Sequence, residues 1–214
     1  MKMLNQEVSN QLTDVFQQLK DHVTIALFTD GTDCNTCEET KEYMEELATL
    51  SDKLSVNIFS TVDNPDLVKE YNIEMVPSIV LLNSQNDFNG VKFNGIPAGH
   101  EINSFIPALI EVSGNQSELP KDMTASIENI DKPINIKVFV TLSCPHCAGA
   151  VQKAHKLALM NDNIDAEMIE AQTFPDIATK FNVSGVPKIV INNEYELVGN
   201  QPIEAFLDVI QTVS

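Results

Sequence analysis

Hydrophobic positions in the first half of the chain follow two alternating periods. Apolar residues recur at helical spacing between Leu4 and Leu19, and the short apolar run from Val23 to Phe28 is typical of a buried strand. The same patterns predict a helix after Cys34, helices over Asp66–Tyr71 and His100–Val112, and strands over Leu54–Phe59, Ser78–Leu82 and Val91–Phe93 with a turn around Asn89-Gly90. Alternating strands and helices indicate an α/β domain.

The second half of the chain repeats the first. A shift of 110 residues aligns the two halves without a gap over more than forty residues. The aligned positions include Cys34 with Cys144, Cys37 with Cys147, Pro65 with Pro175, and Val76-Pro77 with Val186-Pro187. The polar stretch Ser113–Ser117 is the predicted junction, so we expect two domains, 1–115 and 116–214.

The second copy predicts its own set of helices and strands in the same order. Its predicted helices are Lys121–Ile130, Cys144–Met160, Pro175–Phe181 and Pro202–Val213, and its predicted strands are Ile134–Val140, Asp165–Ile169, Lys188–Ile191 and Glu194–Val198. Each Cys-x-x-Cys pair therefore falls between a predicted strand and a predicted helix. The fold class expected for both copies is α/β.

Composition limits the classes of partner. The chain has 214 residues, of which 43% are hydrophobic, so it has enough apolar side chains to form a buried core. Its net charge is −18, and its thirteen basic residues are all lysine. Nucleic acids and anionic membranes bind clusters of lysine and arginine, so we expect no nucleic-acid partner and no membrane partner.

The expected compartment depends on whether the sequence contains long apolar runs. The first residues show no apolar run of signal-peptide length, and no stretch approaches the roughly 18 apolar residues that cross a membrane. We therefore expect a cytoplasmic protein. In a reducing cytosol, cysteines at short spacing serve redox catalysis or metal binding more often than structural cross-linking.

The spacing of each cysteine pair suits thiol–disulfide exchange. Residues three apart lie on one face of a helical turn, which brings the two sulfurs of Cys34 and Cys37, or of Cys144 and Cys147, within bonding distance. The helix N-terminus stabilises a thiolate, so the first cysteine of each pair is the predicted nucleophile. The second cysteine would resolve the mixed disulfide.

The alternative for the same four residues is a structural zinc site with cysteine ligands. Zinc ribbons place their pairs roughly 15–20 residues apart, whereas these pairs lie in different copies of the repeat. Folding could still unite them, so a zinc-stabilised binding or chaperone module remains the alternative outside enzymes.

A Val-Pro dipeptide follows each pair at the same distance, with Pro77 and Pro187 each 43 residues after the first cysteine. With the Cys-x-x-Cys pairs, this resembles the thioredoxin superfamily, in which a cis-proline faces the cysteines. The resemblance implies that Val76, Pro77, Val186 and Pro187 bind an extended substrate segment. The simpler alternative is a proline that opens a strand.

Two such units in tandem resemble the protein disulfide oxidoreductases of archaea and bacteria, which are glutaredoxin-like. The segments Lys92–Glu101 and Val138–Cys147 carry this likeness beyond the cysteines. It implies two tandem thioredoxin folds, each with a mixed sheet flanked by helices, and exchange with disulfide-containing protein substrates. It also implies a thioredoxin-reductase-like flavoprotein as electron donor and no cofactor besides the redox-active disulfides.

The chain is also similar to the N-terminal part of the flavoprotein component of alkyl hydroperoxide reductase. That likeness implies an alternative role as an electron carrier from a flavin reductase to a peroxidase. Thioredoxin has a buried aspartate six residues before its first cysteine, where this chain has Phe28 and Val138. Proton transfer is therefore expected to use other groups, such as Asp30, or solvent.

The two pairs are expected to differ in reactivity. In the second pair, Pro145 occupies the start of the helix, and His146 adds positive character and a donor near Cys144, which favours its thiolate. Acidic residues, namely Asp33, Glu38 and Glu39, flank the first pair and disfavour the Cys34 thiolate, although acids also simply suit a first helical turn. Cys144 is therefore the predicted stronger nucleophile.

Overall fold

The computed structural model describes residues 3–30 and 34–213. Its helices are α1 Gln6–Val15, α2 Cys37–Ala48, α3 Pro65–Glu70, α4 Ile102–Val112, α5 Lys121–Glu128, α6 Cys147–Met160, α7 Pro175–Lys180 and α8 Ile203–Val213. Its strands are β1 Val23–Thr29, β2 Leu54–Ser60, β3 Ser78–Leu82, β4 Phe88–Asn94, β5 Ile134–Val140, β6 Ile164–Glu170, β7 Lys188–Ile191 and β8 Tyr195–Val198. Short 3₁₀ turns cover Phe16–Gln18 and Gly99–Glu101. Over the described residues, no helix combines the length and the hydropathy that a membrane span requires.

The chain forms two compact units. Unit 1 contains the residues up to Phe88 together with Asn94–Ile96 and Leu109–Gln116, and unit 2 contains Asn89–Phe93, Pro97–Ala108 and the residues from Ser117 onwards. Most of β4 and α4, which belong to the first copy in sequence, thus pack within unit 2. The division at residue 115 describes the sequence repeat and stays a prediction.

Unit 1 is built on the strand order β2-β1-β3, in which β1 runs parallel to β2 and antiparallel to β3. Phe28 at the end of β1 is fully buried, and its ring stacks on Phe59 at a centroid distance of 5.3 Å. The same ring meets Tyr71 edge-on at 6.0 Å. Large aromatic rings of this kind bury much apolar surface, so they hold α3 against the sheet close to the first cysteine pair.

Unit 2 has the strand order β4-β6-β5-β7-β8, with β5 parallel to β6 and antiparallel to β7. A buried ion pair joins neighbouring strands, because Lys137 Nζ on β5 lies 2.9 Å from Glu167 Oε1 on β6. Asn135 adds a hydrogen bond to the same carboxylate oxygen. These bonds compensate for removing the charges from water, as buried ion pairs require.

Both copies thus combine a mixed sheet with flanking helices, which confirms the predicted fold class. The predicted turn around Asn89-Gly90 is wrong, because the chain turns over Asn83–Asp87 instead. Gly90 lies inside β4 with a φ of +75°, and a Cβ there would meet the carbonyl oxygen of Ile164 at 2.3 Å. Gly90 therefore allows two backbones of unit 2 to approach closely. A glycine required for such an approach looks the same in the sequence as a glycine required for a turn.

Candidate active site

Each cysteine pair lies between the end of a strand and the start of a helix, and each is closed as a disulfide. The Cα–Cα distance is 5.4 Å between Cys34 and Cys37 and 5.6 Å between Cys144 and Cys147. Cys37 and Cys147 are the first residues of α2 and α6. The structure therefore joins Cys34 to Cys37 and Cys144 to Cys147, as their spacing predicts.

The two sulfurs of a pair differ in access. Cys34 and Cys144 are partly exposed, whereas Cys37 is 6% exposed and Cys147 is fully buried. An incoming disulfide can reach only a sulfur that solvent also reaches. This geometry fits the predicted division into an attacking and a resolving cysteine, and it is the same in both copies.

A cis Val-Pro peptide bond precedes the central antiparallel strand of each copy. Val76-Pro77 and Val186-Pro187 are both cis, as the family resemblance implies. Cys144 Sγ lies 3.9 Å from the carbonyl oxygen of Val186, so the second proline loop borders its disulfide. In the first copy, Ser78 pairs with Phe28 across β3 and β1, which places the Pro77 loop at the end of β1 from which Cys34 follows.

The second pair differs from the prediction in one respect: α6 begins at Cys147 and not at Cys144, so Pro145 lies outside the helix. The roles of the residues around the pairs stay predictions. His146 is exposed at the N-cap of α6, and its side chain makes no capping hydrogen bond. Glu38 and Glu39 are exposed on the first turn of α2, and Lys41 Nζ lies 3.6 Å from a Glu38 oxygen. Asp33 lies outside the described residues.

Glu101 is a buried acid that the sequence reasoning missed. Its side chain is inaccessible to solvent, and burial raises its pKa to about 7, although a hydrogen bond from Ser104 opposes the rise. The Ser104 hydroxyl lies 2.5 Å from Oε2, while Oε1 is buried without a hydrogen-bond partner among the described residues. A carboxyl with a pKa near neutrality and a free oxygen suits proton transfer.

The backbone places Glu101 beside the second cysteine pair. The amide of His100 donates to the carbonyl oxygen of Leu142 at 2.9 Å, two residues before Cys144. The 3₁₀ turn Gly99–Glu101 also packs against α6, the helix that Cys147 begins. The sequence carries one signal for this placement, because Glu101, Phe105 and Ala108 fall on one helical face and the latter two are core residues.

His155 is another buried titratable group of unit 2. Burial lowers its pKa to about 4, with smaller opposing effects from the backbone of Lys92 and Ala166. Its ring packs edge-on to Phe93 at 4.6 Å, and its Nε2 is 3.1 Å from the carbonyl oxygen of Lys92. A neutral, packed imidazole of this kind is a core residue, so Glu101 is the better candidate for proton transfer.

Gly99→Ala should destabilise the protein by about 2 kcal/mol. Gly99 has a φ of +58°, and a Cβ would meet the carbonyl oxygen of Leu142 at 2.5 Å. Gly185→Ala is the matched control, since no described atom outside its chain neighbours lies within 4 Å of its Cβ position. Urea denaturation measures both free energies of unfolding, and equal values for the two variants would contradict the role assigned to the Gly99 turn.

Comparison with known proteins identifies the family of the chain. The model of the thioredoxin domain family matches residues 22–107 and 134–211. The F component of alkyl hydroperoxide reductase from Staphylococcus aureus strain MRSA252 is 27% identical over 205 residues, which cover 96% of this chain and 37% of the relative. A protein named NADH dehydrogenase from Ferdinandcohnia aciditolerans is 26% identical with the same coverage. The chain thus spans little more than a third of these relatives.

Two solved structures are similar along almost the whole chain. The NTD_N/C domain of alkylhydroperoxide reductase from Enterococcus faecalis is 28% identical with a TM-score of 0.91, covering 97% of this chain and 99% of that one. A protein disulfide oxidoreductase from Aeropyrum pernix K1 is also 28% identical with a TM-score of 0.91, covering 100% of this chain and 94% of that one. Both likenesses include the two cysteine-bearing copies.

Proposed function

Because the chain belongs to the thioredoxin domain family, we propose that it is a protein dithiol–disulfide oxidoreductase acting through both cysteine pairs. One observation carries the proposal. In the second copy, a partly exposed Cys144 lies in front of the buried Cys147, with its sulfur 3.9 Å from the carbonyl oxygen of Val186 next to a cis-proline. The likeness to the Aeropyrum pernix protein disulfide oxidoreductase supports the same activity.

The exchange proceeds in two steps at either pair. The Cys144 thiolate attacks one sulfur of a partner disulfide, an S–S bond to Cys144 forms, and the partner's own S–S bond breaks to release a thiolate that takes up a proton. The Cys147 thiolate then attacks Cys144, which closes the Cys144–Cys147 disulfide and releases the second partner thiol. Two electrons pass to the partner, and the reverse sequence oxidises a partner dithiol.

The Val-Pro loops hold the substrate in this proposal. Val76 and Val186 are half-buried, and each lies directly before its cis-proline at the border of the disulfide. A proline has no amide hydrogen to donate, so the neighbouring valine supplies the backbone polar groups for pairing with an extended segment. A segment paired there would present its disulfide to Cys34 or Cys144.

Glu101 handles the proton of the second pair in this proposal. The resolving thiol of Cys147 is fully buried at the start of α6, so water does not reach it. The turn that carries Glu101 packs against the same helix, and the pKa of its carboxyl is about 7, so near neutral pH it is present in both protonation states. In this proposal the carboxyl accepts the Cys147 proton and returns it. It thereby takes the role of the aspartate that thioredoxin has at the position of Val138.

An electron-carrier role is the second candidate, and relatives favour it. The match with the F component of alkyl hydroperoxide reductase covers 96% of this chain. In this role, a flavoprotein reductase would reduce the pairs and the pairs would reduce a peroxidase. A cytosolic location belongs to both candidates, because a reducing compartment keeps supplying thiols to the cycle.

Insulin reduction tests the proposed function directly. The full chain with dithiothreitol as reductant should precipitate reduced insulin B chain much faster than dithiothreitol alone, since both pairs would turn over. Metal analysis of the purified chain accompanies the assay. Stoichiometric zinc without turnover would support the binding-module alternative, whereas preferential reduction of an oxidised peroxiredoxin over insulin would favour the electron carrier.

Limiting iodoacetamide should label Cys144 before Cys34 in the reduced chain. Cys144 lies three residues before α6, whose first turn has no acid, whereas exposed Glu38 and Glu39 lie on the first turn of α2. Nearby negative charge disfavours a thiolate, and alkylation requires the thiolate. Peptide mass spectrometry locates the label, and preferential labelling of Cys34 would contradict the expected order of reactivity.

A further inference from the structure

Two segments at the end of β1, from which the first cysteine pair follows, carry exposed carboxylates. Glu38 and Glu39 follow Cys37 on the first turn of α2. Glu74 lies three residues before Pro77, on the segment that leads to the first cis-proline, and its side chain is also exposed. A segment that approaches Cys34 between the helix and the proline loop therefore passes negative groups on both sides.

The second disulfide has the same backbone surroundings without these charges. The shift of 110 residues places Ala148, Gly149 and Ser184 where the first copy has Glu38, Glu39 and Glu74. The loss continues along the helix, where Glu42 and Glu45 of α2 correspond to Gln152 and His155 of α6. The molecule thus holds two matched sites that differ in electrostatic character.

The side chain of Asn200 fills the space beside Gly149 on the second helix. A Cβ on Gly149 would lie 2.4 Å from the side-chain nitrogen of Asn200. On the segment that leads to the second cis-proline, Ser184 and Gly185 are exposed, and the Cβ position of Gly185 is open. The helix side of the second site thus has no carboxylate at positions 148 and 149, and a charged group close to it is the ammonium of Lys153, which donates a hydrogen bond to Asn200 Oδ1.

The carboxylates of the first site retain a net negative charge. Lys41 is the cation recorded beside them, and its contact with Glu38 is a 3.6 Å pair between solvent-exposed groups. Exposed pairs of this kind leave both charges largely available to other ions. Glu38, Glu39 and Glu74 therefore keep their negative charge available to an incoming partner.

We propose that the first pair selects disulfides in positively charged segments, whereas the second pair also accepts disulfides in neutral or anionic segments. This inference rests on the proposed function and adds the substrate class of each site. The chemical step is the exchange described above, with the same balance of bonds and electrons. The partner assigned to the first pair is a protein whose disulfide is flanked by lysine or arginine.

Electrostatic attraction provides the discrimination. A cation within several ångströms of two or three exposed carboxylates is concentrated at the site, and an anion is depleted from it. For a small divalent probe we expect a combined difference of roughly tenfold at low ionic strength. Salt should reduce it, because about 0.15 M salt screens exposed charges over roughly 8 Å.

Small disulfides of opposite charge test the proposal in the full chain. Cys144→Ser with Cys147→Ser leaves only the first pair, and Cys34→Ser with Cys37→Ser leaves only the second. Each reduced variant is mixed with cystamine, which is a dication, or with oxidised glutathione, which is anionic, and the rate constants are measured by stopped flow. The ratio of the two rates cancels the intrinsic reactivity of each thiol. We expect this ratio to be roughly tenfold higher for the first pair.

Charge variants connect the ratio to the named residues. In the background that keeps the first pair, Glu38→Gln, Glu39→Gln and Glu74→Gln together should bring the ratio within about twofold of the second pair's value. The matched control removes three exposed acids elsewhere, by Glu118→Gln, Glu128→Gln and Glu194→Gln, and should leave the ratio unchanged. In the background that keeps the second pair, Ser184→Glu should raise the ratio of the cystamine rate to the glutathione rate.

The outcomes separate this proposal from the function on which it rests. Two outcomes would overturn the charge selection alone. One is exchange at both pairs with equal ratios of the cystamine rate to the glutathione rate. The other is a ratio that the three control substitutions change as much as Glu38→Gln, Glu39→Gln and Glu74→Gln do. Failure of both pairs to exchange with either probe would overturn the proposed function itself. A higher ratio at the first pair that declines with salt supports both.

Discussion

Cys144→Ser should reduce the insulin-reducing activity of the chain by roughly tenfold or more. A serine hydroxyl is not ionised at neutral pH and forms no mixed disulfide, so the second pair loses its attacking group. The first pair would supply the remaining activity, which is small because the acids beside Cys34 disfavour its thiolate. The measurement is the turnover rate with dithiothreitol as reductant.

Two further cysteine variants serve as controls for that result. Cys34→Ser should retain most of the activity, and a larger loss there than in Cys144→Ser would reverse the assigned order of the two sites. Cys147→Ser should stop turnover while the mixed disulfide between Cys144 and the substrate accumulates, since the resolving thiol is missing. Mass spectrometry under non-reducing conditions detects this intermediate.

Glu101→Gln should make the folded protein less sensitive to alkaline pH. In the fold, the pKa of Glu101 is raised from 4.5 to about 7, so the folded state holds this proton more tightly than the unfolded chain does. Between these two values a rise in pH removes the proton from the unfolded chain first, and the free energy of unfolding falls. Above pH 7 the full cost of the buried charge is present, about 3 kcal/mol at ~1.4 kcal/mol for each pKa unit.

Chemical denaturation of both proteins at pH 4.5 and pH 8.5 measures this cost. The native chain should lose about 3 kcal/mol more stability than Glu101→Gln across that interval. Comparing the two pH values cancels any constant effect of the glutamine amide on packing. Glu128→Gln, at an exposed acid on α5, is the control and should follow the native chain. An equal pH dependence in all three proteins would contradict the raised pKa.

The same variant should slow the second pair. With Cys34→Ser and Cys37→Ser in the background, Glu101→Gln should lower the exchange rate near pH 7 by roughly tenfold to a hundredfold, the usual range for losing a general acid–base group. A variant that gains stability at high pH while it loses activity identifies a group retained for function. Unchanged exchange would limit Glu101 to a structural role.

Local patterns predicted most of the elements correctly. Strands such as β1 and β5 follow from short apolar runs, and α6 from apolar residues at helical spacing, because both periods reflect only near neighbours along the chain. The constant shift between Cys34 and Cys144 showed the repeat, and the position of Pro77 after the pair indicated its cis bond by family likeness. These features depend on spacing, which is visible without a fold.

Contacts between distant parts of the chain account for the rest. Gly90 looked like a turn residue because turns are where glycine is most often required, yet its backbone lies against Ile164, 74 positions along the chain. Most of β4 and α4 pack in unit 2 although they belong to the first copy in sequence. No local pattern specifies such a partner, since the energy comes from surfaces that meet only after folding.

Glu101 illustrates the physical reason most clearly. In the sequence it is one of 31 acids, and its helical spacing with Phe105 and Ala108 indicates a core-facing position but no value of its pKa. Complete burial removes its water and raises the pKa, and Oε1 has no hydrogen-bond partner among the described residues. The cysteine chemistry is thus encoded in residue types and their spacing, whereas the raised pKa of Glu101 depends on desolvation, a property of the whole packed structure.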